Sequence, residues 1–453
     1  MKKNEIYTLT VTDCTLQGSG VGHIDGMAVF VPASAVGDVL TVQILKVQKN
    51  CAYAKIREIL TPSPNRIASD CAVFPRCGGC LFRHMRYEAE LSLKAHQVQE
   101  NLRRIGHYDG QTEPIVPSPQ TDGYRNKAQY PLAMQDGNLS IGFYALRSHR
   151  VMDCRNCQLQ PAVFSDILSV FDAWILMYSI PVYDEQTRKG MLRHIYIRRG
   201  EQSGQILVCA VSTTAKLPHT EALCKMLLEQ VDGIRTIVLN VNPDDTNVIL
   251  GAKCMPLYGD GYMEDTLCGL RFRLSALSFY QVNARQAENL YRKAADLAQP
   301  EGKTVLDLYC GAGTIGLTMA NRAKQIIGVE IVPEAIEDAK YNAAKNSITN
   351  ARFLCADAAD AAKQLREEGI HPDVILVDPP RKGCSQALIE TIFDFSPERL
   401  VYVSCDSATL ARDCALLQKG GYQIETATPF DMFPRTGHVE TVCLLTQKDR
   451  PTD

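Results

Sequence analysis

The spacing of apolar and polar positions changes character three times along the chain. Over residues 1 to about 60, short runs alternate with period two: Tyr7–Thr12, Met27–Pro32, Asp38–Ile44 and Cys51–Ile56, with glycines at 18, 20, 22, 26 and 37 between and beside them. Alternation buries one side of each run, and glycines allow the turns, so this stretch predicts a small barrel of four or five strands. Thr61-Pro-Ser-Pro64 predicts a stiff linker after it. Tyr87–Ile105 has helical spacing at Leu91, Leu93, Val98 and Leu102. From about 115 to 277 strand-like runs return (Lys127–Ala133, Arg193–Arg199, Gln205–Val211, Thr236–Asn240), broken by two helical stretches, Ala162–Met177 and Thr220–Val231. From 285 onward strands and helices alternate. Val305, Leu306 and Leu308 run into Gly311 and Gly313, a helix follows through Ile315, Leu317, Met319 and Ala320, and further strands are expected at Ile326–Glu330, Val374–Val377, Arg399–Ser404 and Val439–Leu445. The expected fold is therefore α/β with a doubly wound sheet over 278–453, a β-rich central domain over 61–277 and an N-terminal barrel over 1–60, with helix 87–105 free to pack on the α/β part.

In a doubly wound sheet ligands sit at the carboxyl ends of the strands. Gly311 and Gly313 stand there, where the absence of a side chain lets backbone approach a ligand. Glu330 ends the next strand, as a carboxylate that accepts from ribose hydroxyls would. Gly311-Ala-Gly313-Thr-Ile-Gly316 can also be read as a dinucleotide fingerprint, which keeps a nicotinamide cofactor as an alternative. Asp378-Pro-Pro-Arg381 at the end of a later strand favours S-adenosylmethionine instead. A barrel as short as residues 1–60 is OB-like, a shape that often holds single-stranded nucleic acid, the plainer alternative being a barrel that only packs on its neighbour.

Composition changes this picture in three places. No window approaches 18 uninterrupted apolar residues and no apolar segment follows Lys2 and Lys3, so a soluble cytoplasmic protein without membrane contact is expected. The net charge of −3 means that an RNA partner would have to be met by local patches. Two candidates are Arg147, His149, Arg150 and Arg155, and Arg188, Lys189, Arg193, Arg198 and Arg199, each either a phosphate track or plain solvated surface. Of the 17 cysteines most stand singly in apolar surroundings, such as Cys209, Cys224 and Cys443, and are expected as buried thiols. Cys71-x5-Cys77-Gly-Gly-Cys80 differs. Its spacing lets one loop wrap an inorganic centre, and the distant pair Cys154-x2-Cys157 could complete the set. Three ligands from a single loop favour an iron–sulfur cluster over a zinc ribbon, with zinc and unliganded thiols as alternatives.

Cys405 ends a buried strand in Val403-Ser-Cys-Asp-Ser, at the edge where the cofactor would lie, and a helix amino terminus there would favour its thiolate. Read alone, a cysteine there points to packing more than to catalysis. Together with Phe279-Tyr-Gln-Val-Asn283, Leu306-Asp-Leu-Tyr-Cys-Gly-Ala-Gly313, Asp378-Pro-Pro-Arg-Lys-Gly383, Ser404-Cys-Asp406, Arg412-Asp413, His438-Val-Glu440 and the cysteine loop, it resembles the RNA (uracil-5-)-methyltransferase family through most of the chain. The resemblance implies a class I methyltransferase domain, a TRAM barrel, Cys405 as nucleophile and Glu440 as general base. It implies that Gln281, Tyr309, Gly311, Glu330 and Asp378 contact S-adenosylmethionine, with Thr314 and Asp357 nearby, and that Cys71, Cys77, Cys80 and Cys157 hold a 4Fe–4S cluster. Two positions depart from the family pattern: Ser407 and Gln158 stand where proline is usual.

The implied chemistry needs these residue types. Carbon 5 of uracil is a poor nucleophile until a thiolate adds at carbon 6, and its proton must then be removed by a positioned base. The target base must be unstacked, at a cost of roughly a few kcal/mol. Members with both barrel and cluster resemble those acting on 23S ribosomal RNA, which makes that RNA the expected substrate, with transfer RNA or a non-catalytic RNA-binding role as alternatives. Nothing in the sequence calls for more than a monomer.

Overall fold

The computed structural model describes residues 1–448. Six strands make the N-terminal barrel: β1 (Ile6–Thr10), β2 (Asp13–Cys14), β3 (Ser19–Ile24), β4 (Met27–Pro32), β5 (Val39–Val47) and β6 (Cys51–Thr61), in spatial order β1-β5-β6-β4-β3-β2. The alternation carries through to burial. Leu40, Val42 and Ile44 of β5 point inward against Leu9, Val29, Val31 and Ala54. The segment after β6 is pinned rather than free. Asp38, fully buried, accepts from the Ser63 amide at 2.8 Å and pairs with Arg66, because a carboxylate out of water must be given donors.

Helix α1 (Tyr87–Arg104) places Val98 and Leu102 in the same core as the strands of the C-terminal sheet and packs beside its last helix. The central sheet contains β7 (Lys127–Gln135), β8 (Asn138–Tyr144), β9 (Val151–Asp153), β10 (Leu192–Arg199), β11 (Ile206–Ser212), β12 (Ile234–Val241) and β13 (Lys253–Tyr258), in order β13-β12-β11-β10-β7-β8-β9. Helices α2 (Val163–Met177) and α3 (Thr220–Gln230) cover one face. The other face puts Tyr196, Leu207, Cys209 and Val211 into the core of the C-terminal domain. Both faces being covered, β11 is buried at every residue, and it lacks the one-sided pattern of a solvated strand. A hairpin, β14 (Met263–Leu267) and β15 (Leu270–Leu274), packs on the C-terminal domain, where the Arg273 amide donates to Asn342.

After α4 (Ala284–Ala298) the C-terminal sheet begins: β16 (Thr304–Leu308), α5 (Thr314–Met319), β17 (Gln325–Glu330), α6 (Pro333–Lys345), β18 (Ala351–Cys355), α7 (Ala358–Glu367), β19 (Val374–Val377), α8 (Gln386–Phe395), β20 (Arg399–Ser404), α9 (Ser407–Lys419), β21 (Tyr422–Phe430) and β22 (Glu440–Gln447). The spatial order is β18-β17-β16-β19-β20-β22-β21, parallel throughout except β22, which runs antiparallel between β20 and β21. The chain reverses direction of winding between β16 and β19. That switch point opens a crevice at the strand ends.

Two of the sequence expectations change here. Of the second basic cluster, Arg193 and Arg198 are buried, and Arg193 donates to the carbonyls of Asn242 and Asp244 while stacking over Tyr183. They turn inward because β10 has no solvated face. Arg155 of the first cluster pairs with Asp153 and Asp172. Neither cluster is a continuous exposed track.

Candidate active site

A cleft of about 1180 Å³ lies at the carboxyl ends of β16, β17, β19 and β20. Gln281, Tyr309, Gly311, Thr314, Glu330, Asp357, Asp378, Cys405 and Glu440 all line it. Topology brings them together: Tyr309, Gly311, Glu330, Asp357, Asp378 and Cys405 end strands or lie in the loops after them, Thr314 opens α5, Glu440 opens the antiparallel β22, and Gln281 comes from the segment before α4. Gly313 sits at φ +78° at the start of α5, a conformation costly for any residue with a Cβ, and a Cβ there would press on Leu317 and Phe353. Tyr309 is held at φ +67° without that excuse, a strained backbone of the kind found at ligand sites. Glu330 accepts from the amides of Gly311, Ile331 and Val332, which aims its carboxylate into the turn. Ile331 and Val332 beyond it are exposed, an apolar shelf that an adenine ring would cover.

Cys405 and Glu440 are neighbours across a ladder. β20 and β22 pair with Ser404 opposite Thr441, so the residue after one strand faces the first residue of the other. Asp406 caps α9, accepting from the Thr409 amide at 2.8 Å. Ser407 is the first residue of α9, where proline is well accommodated because the amide there has no helical partner. Here its hydroxyl accepts from Asn101 of α1 at 2.8 Å instead. The Arg412-Asp413 pair acts as a staple. Buried Asp413 accepts from Tyr402 and from the Cys384 amide, and Arg412 donates to the Lys382 carbonyl, which fixes the Asp378–Gly383 loop against α9.

The electrostatics correct one expectation. Burial, then the carboxyls of Glu440 and Asp378, push the Cys405 thiol up to about 11, although Arg381 pulls the other way. In the ligand-free cleft desolvation outweighs the helix amino terminus. Burial likewise raises Glu440 to about 8, with Asp378 adding to it, and raises Asp378 itself to about 7. Asp307, beneath Gly316, is pushed to about 8 and leaves one buried oxygen unpartnered. The cleft is thus rich in carboxyl groups that a cationic ligand would favour in their ionised form.

Sequence reasoning missed Arg125 and Lys127, which line the cleft from the central domain. They lie outside every motif, and only tertiary packing brings them in. Phe279, Arg381 and His438, all within quoted motifs, also face the cleft, and the His438 ring meets Phe433 edge-on at 5.9 Å.

The cysteine loop forms a second, separate cavity of about 80 Å³. Cys71, Cys77, Cys80, Cys154 and Cys157 line it, with Phe74, Phe143 and Leu159 as apolar wall. Backbone bonds from Gly78 to Tyr144 and from Leu146 to Arg76 stitch the loop to the β8–β9 turn. A hydrogen bond from Cys154 holds the Cys157 thiol at about 7, whereas burial raises Cys80 to about 12. Among the described residues no three His, Cys, Asp or Glu side chains are arranged as a metal site. The thiols converge on one cavity without adopting ligand geometry.

Residues 262–448 match the family described as tRNA (Uracil-5-)-methyltransferase, and residues 2–56 match the TRAM domain. An RNA methyltransferase of Clostridium tetani is 41% identical over 447 residues, covering 98% of this chain and 97% of its own. The chain belongs to the RNA (uracil-5-)-methyltransferase family. A second relative of this kind, an RNA methyltransferase of Halalkalibacterium halodurans, is 42% identical over 451 residues and covers 99% of this chain and 98% of its own. Among solved structures, the Pyrococcus abyssi tRNA (uracil-54, C5)-methyltransferase in complex with S-adenosyl-L-homocysteine superposes with a TM-score of 0.78 at 27% identity, covering 97% of this chain and 100% of that one. The chain is thus an S-adenosylmethionine-dependent RNA methyltransferase of class I fold with an N-terminal TRAM domain. No helix among the described residues is long and apolar enough to cross a membrane.

Proposed function

We propose that this chain methylates carbon 5 of uridine in 23S ribosomal RNA, with Cys405 as nucleophile and Glu440 as general base. The observation that carries the reading is the juxtaposition of Cys405 and Glu440 across the β20–β22 ladder, in one cleft with Gln281 and Asp378. When bound, S-adenosylmethionine supplies an electrophilic methyl group and a positive charge. Glu330, Gly311, Tyr309 and the Ile331–Val332 shelf fit its adenosine half, and Asp378 and Gln281 fit the region of the reacting centre, with Thr314 and Asp357 at the margin. The Cys405 thiolate adds to carbon 6 of the flipped uracil. That makes carbon 5 nucleophilic toward the methyl, and Glu440 then takes the carbon 5 proton so that the thiolate can be eliminated. Arg381, already pulling the Cys405 and Glu440 protons downward, faces the site where enolate charge develops.

In this reading the barrel (1–60) and the central domain (61–277) grip RNA, and 278–453 carries the reaction. In the same reading Cys71, Cys77, Cys80 and Cys157 would hold a 4Fe–4S cluster. What supports it is a donor set of soft thiols within an apolar wall, the surroundings such clusters take. No reaction step passes through it.

A second substrate, transfer RNA, is favoured by one observation. The Pyrococcus abyssi enzyme, whose substrate its description gives as tRNA, matches 97% of this chain, so possession of the additional domains does not by itself select ribosomal RNA. Mixing the protein and S-adenosylmethionine with ribosomal RNA or transfer RNA containing 5-fluorouridine separates the readings on a denaturing gel. Fluorine at carbon 5 cannot leave as a proton, so the enzyme stalls as a covalent adduct. An adduct with ribosomal RNA that is lost in Cys405→Ala supports the proposal. An adduct with transfer RNA alone moves the substrate, and no adduct with either sinks the mechanism.

A further inference from the structure

Two cations of the central domain, Arg125 and Lys127, line the cleft, and a third, Arg198, lies buried behind them. Lys127 opens β7 and stands directly opposite Arg198 of β10 in the antiparallel register, so both side chains leave the same face of the sheet. Like charges directly opposed in this way are destabilising. Arg125, two residues before Lys127, projects to the same side and lines the cleft beside it. Arg198 is only 1% exposed. One of its amino groups donates to the Ser278 carbonyl at 2.7 Å, at the base of the segment that carries Phe279 and Gln281. Its Nε and Nη1 are buried without a hydrogen bond, while the guanidinium lies 5.8 Å from the centroid of the Tyr196 ring. Arg125 donates to the Tyr124 hydroxyl at 3.4 Å, lies 6.0 Å from the centroid of the Phe433 ring, and also lines the cysteine cavity, where the Cys80 and Cys157 thiols act on it. Burial, then the charges of Arg198 and Arg125, pull the Lys127 ammonium down to about 8.

Buried charge is ordinarily paired, and an unpaired donor out of water costs free energy. Three like charges gathered without a carboxylate, one with two orphaned donors, form a site that is completed by an anion. We propose that Arg125 and Lys127, backed by the charge of Arg198 behind them, bind an oxyanion at the central-domain wall of the cleft. Resting on the function proposed above, that oxyanion is a phosphodiester of the RNA strand beside the extruded uridine. The other source of the same chemistry is the carboxylate of the cofactor's amino acid. A phosphate held here would fix the backbone on which the flipped base turns, a positioning contact that carries no sequence information.

The test uses the full chain and the variant Lys127→Gln, whose side chain stands at the cleft edge and leaves the packing of Arg198 intact. Inorganic phosphate, compared with chloride at equal ionic strength, should raise the melting temperature of the wild type and not that of Lys127→Gln. In chloride alone the variant should melt no lower than the wild type, since it relieves repulsion. A lysine with a merely structural role would instead make it melt lower. RNA binding as a function of salt then identifies the source. A fall of about 1 in the slope of log K against log salt for Lys127→Gln, with S-adenosyl-L-homocysteine binding unchanged, assigns the site to the RNA phosphate. Weaker S-adenosyl-L-homocysteine binding with an unchanged slope assigns it to the carboxylate. No phosphate stabilisation of the wild type, with slope and S-adenosyl-L-homocysteine binding both unchanged in the variant, overturns the site. The phosphate measurement needs no reaction, so it fails or succeeds independently of 5-fluorouridine trapping by the wild type, which reads the proposed function.

Discussion

Two clusters of buried charge flank the loop 431–439, and they are built on opposite principles. Behind the loop, Lys94 of α1 is fully buried and donates to Glu90 and Asp431, both also fully buried, at 2.7 Å each. Glu90 further accepts from the Arg435 amide, Tyr87 donates to Asp431, and Lys94 also donates to the Phe433 carbonyl. Every charge there is answered, across segments more than 300 residues apart in sequence. In front of the loop, Arg125, Lys127 and Arg198 gather without a carboxylate partner among the described residues. The lesson is one of division of labour. The paired cluster holds the loop that ends in His438 and Glu440 in place, and the unpaired one keeps an interaction in reserve for a ligand. Removing one member from a closed network exposes the remaining charges to an apolar interior, while removing one from an open network relieves repulsion.

The contrast can be broken at several points. The largest effects belong to the cleft chemistry. Cys405→Ala should abolish the adduct with 5-fluorouridine RNA, and Glu440→Gln should still form an adduct from ordinary uridine RNA but release it ~10²–10⁴-fold more slowly, read by quench and gel. Next comes the paired cluster. Lys94→Met should cost about 3–5 kcal/mol in denaturant unfolding, because Glu90 and Asp431 are left buried without a cation. Lys127→Met should cost none of this. Equal losses in the two variants would erase the distinction.

Gly437 lies in the same loop, and a Cβ there would collide with the Leu16 carbonyl oxygen of the barrel. Gly437→Ala should cost about 1–3 kcal/mol and lower methyl transfer, since the barrel and the loop leading to Glu440 must move apart. A variant as stable and active as the wild type would show that the barrel contact does not hold the loop.

The pH profile should be smaller in effect. Glu440, raised to about 8, accepts a proton only when ionised, and the Cys405 thiol stands at about 11, so activity should climb as pH rises from 6 toward 8, by up to about tenfold per unit for one such group. Stability runs the other way. A carboxyl raised in the folded state contributes stability that is full below its ordinary value and lost as pH rises through about 8. Melting of the ligand-free protein should therefore show this contribution in wild type and a flatter dependence in Glu440→Gln. The smallest effect is expected for Ser407→Pro, below about 1 kcal/mol, because the first helical position accepts proline and only the bond from Asn101 is lost.

Much of the site was legible because it lies at strand ends. In a doubly wound sheet the topology itself carries those ends to one edge, so Gly311, Glu330, Asp378, Cys405 and Glu440 could be gathered from motifs alone. The cysteine loop was legible by spacing, and the fifth thiol of its cavity, Cys154, was visible as half of a Cys-x2-Cys pair. What sequence missed is set by environment. The helix amino terminus at Cys405 suggested a favoured thiolate, yet burial and two neighbouring carboxyls raise it. Arg198 was read as exposed surface, either a phosphate track or plain solvated, and is sealed between two layers.

By itself the sequence determined the order of strands and helices and the chemistry placed at the end of each strand. Periodicity and turn residues act over a few neighbours, and the α/β winding rule does the rest. Tertiary structure alone decided which charges are paired, which proton affinities rise, and that Arg125 and Lys127 of the central domain reach the cleft. Those depend on desolvation and on Coulomb interactions that fall off over a few ångströms. Such distances between residues 94 and 431, or between 127 and 198, exist only once the chain has folded.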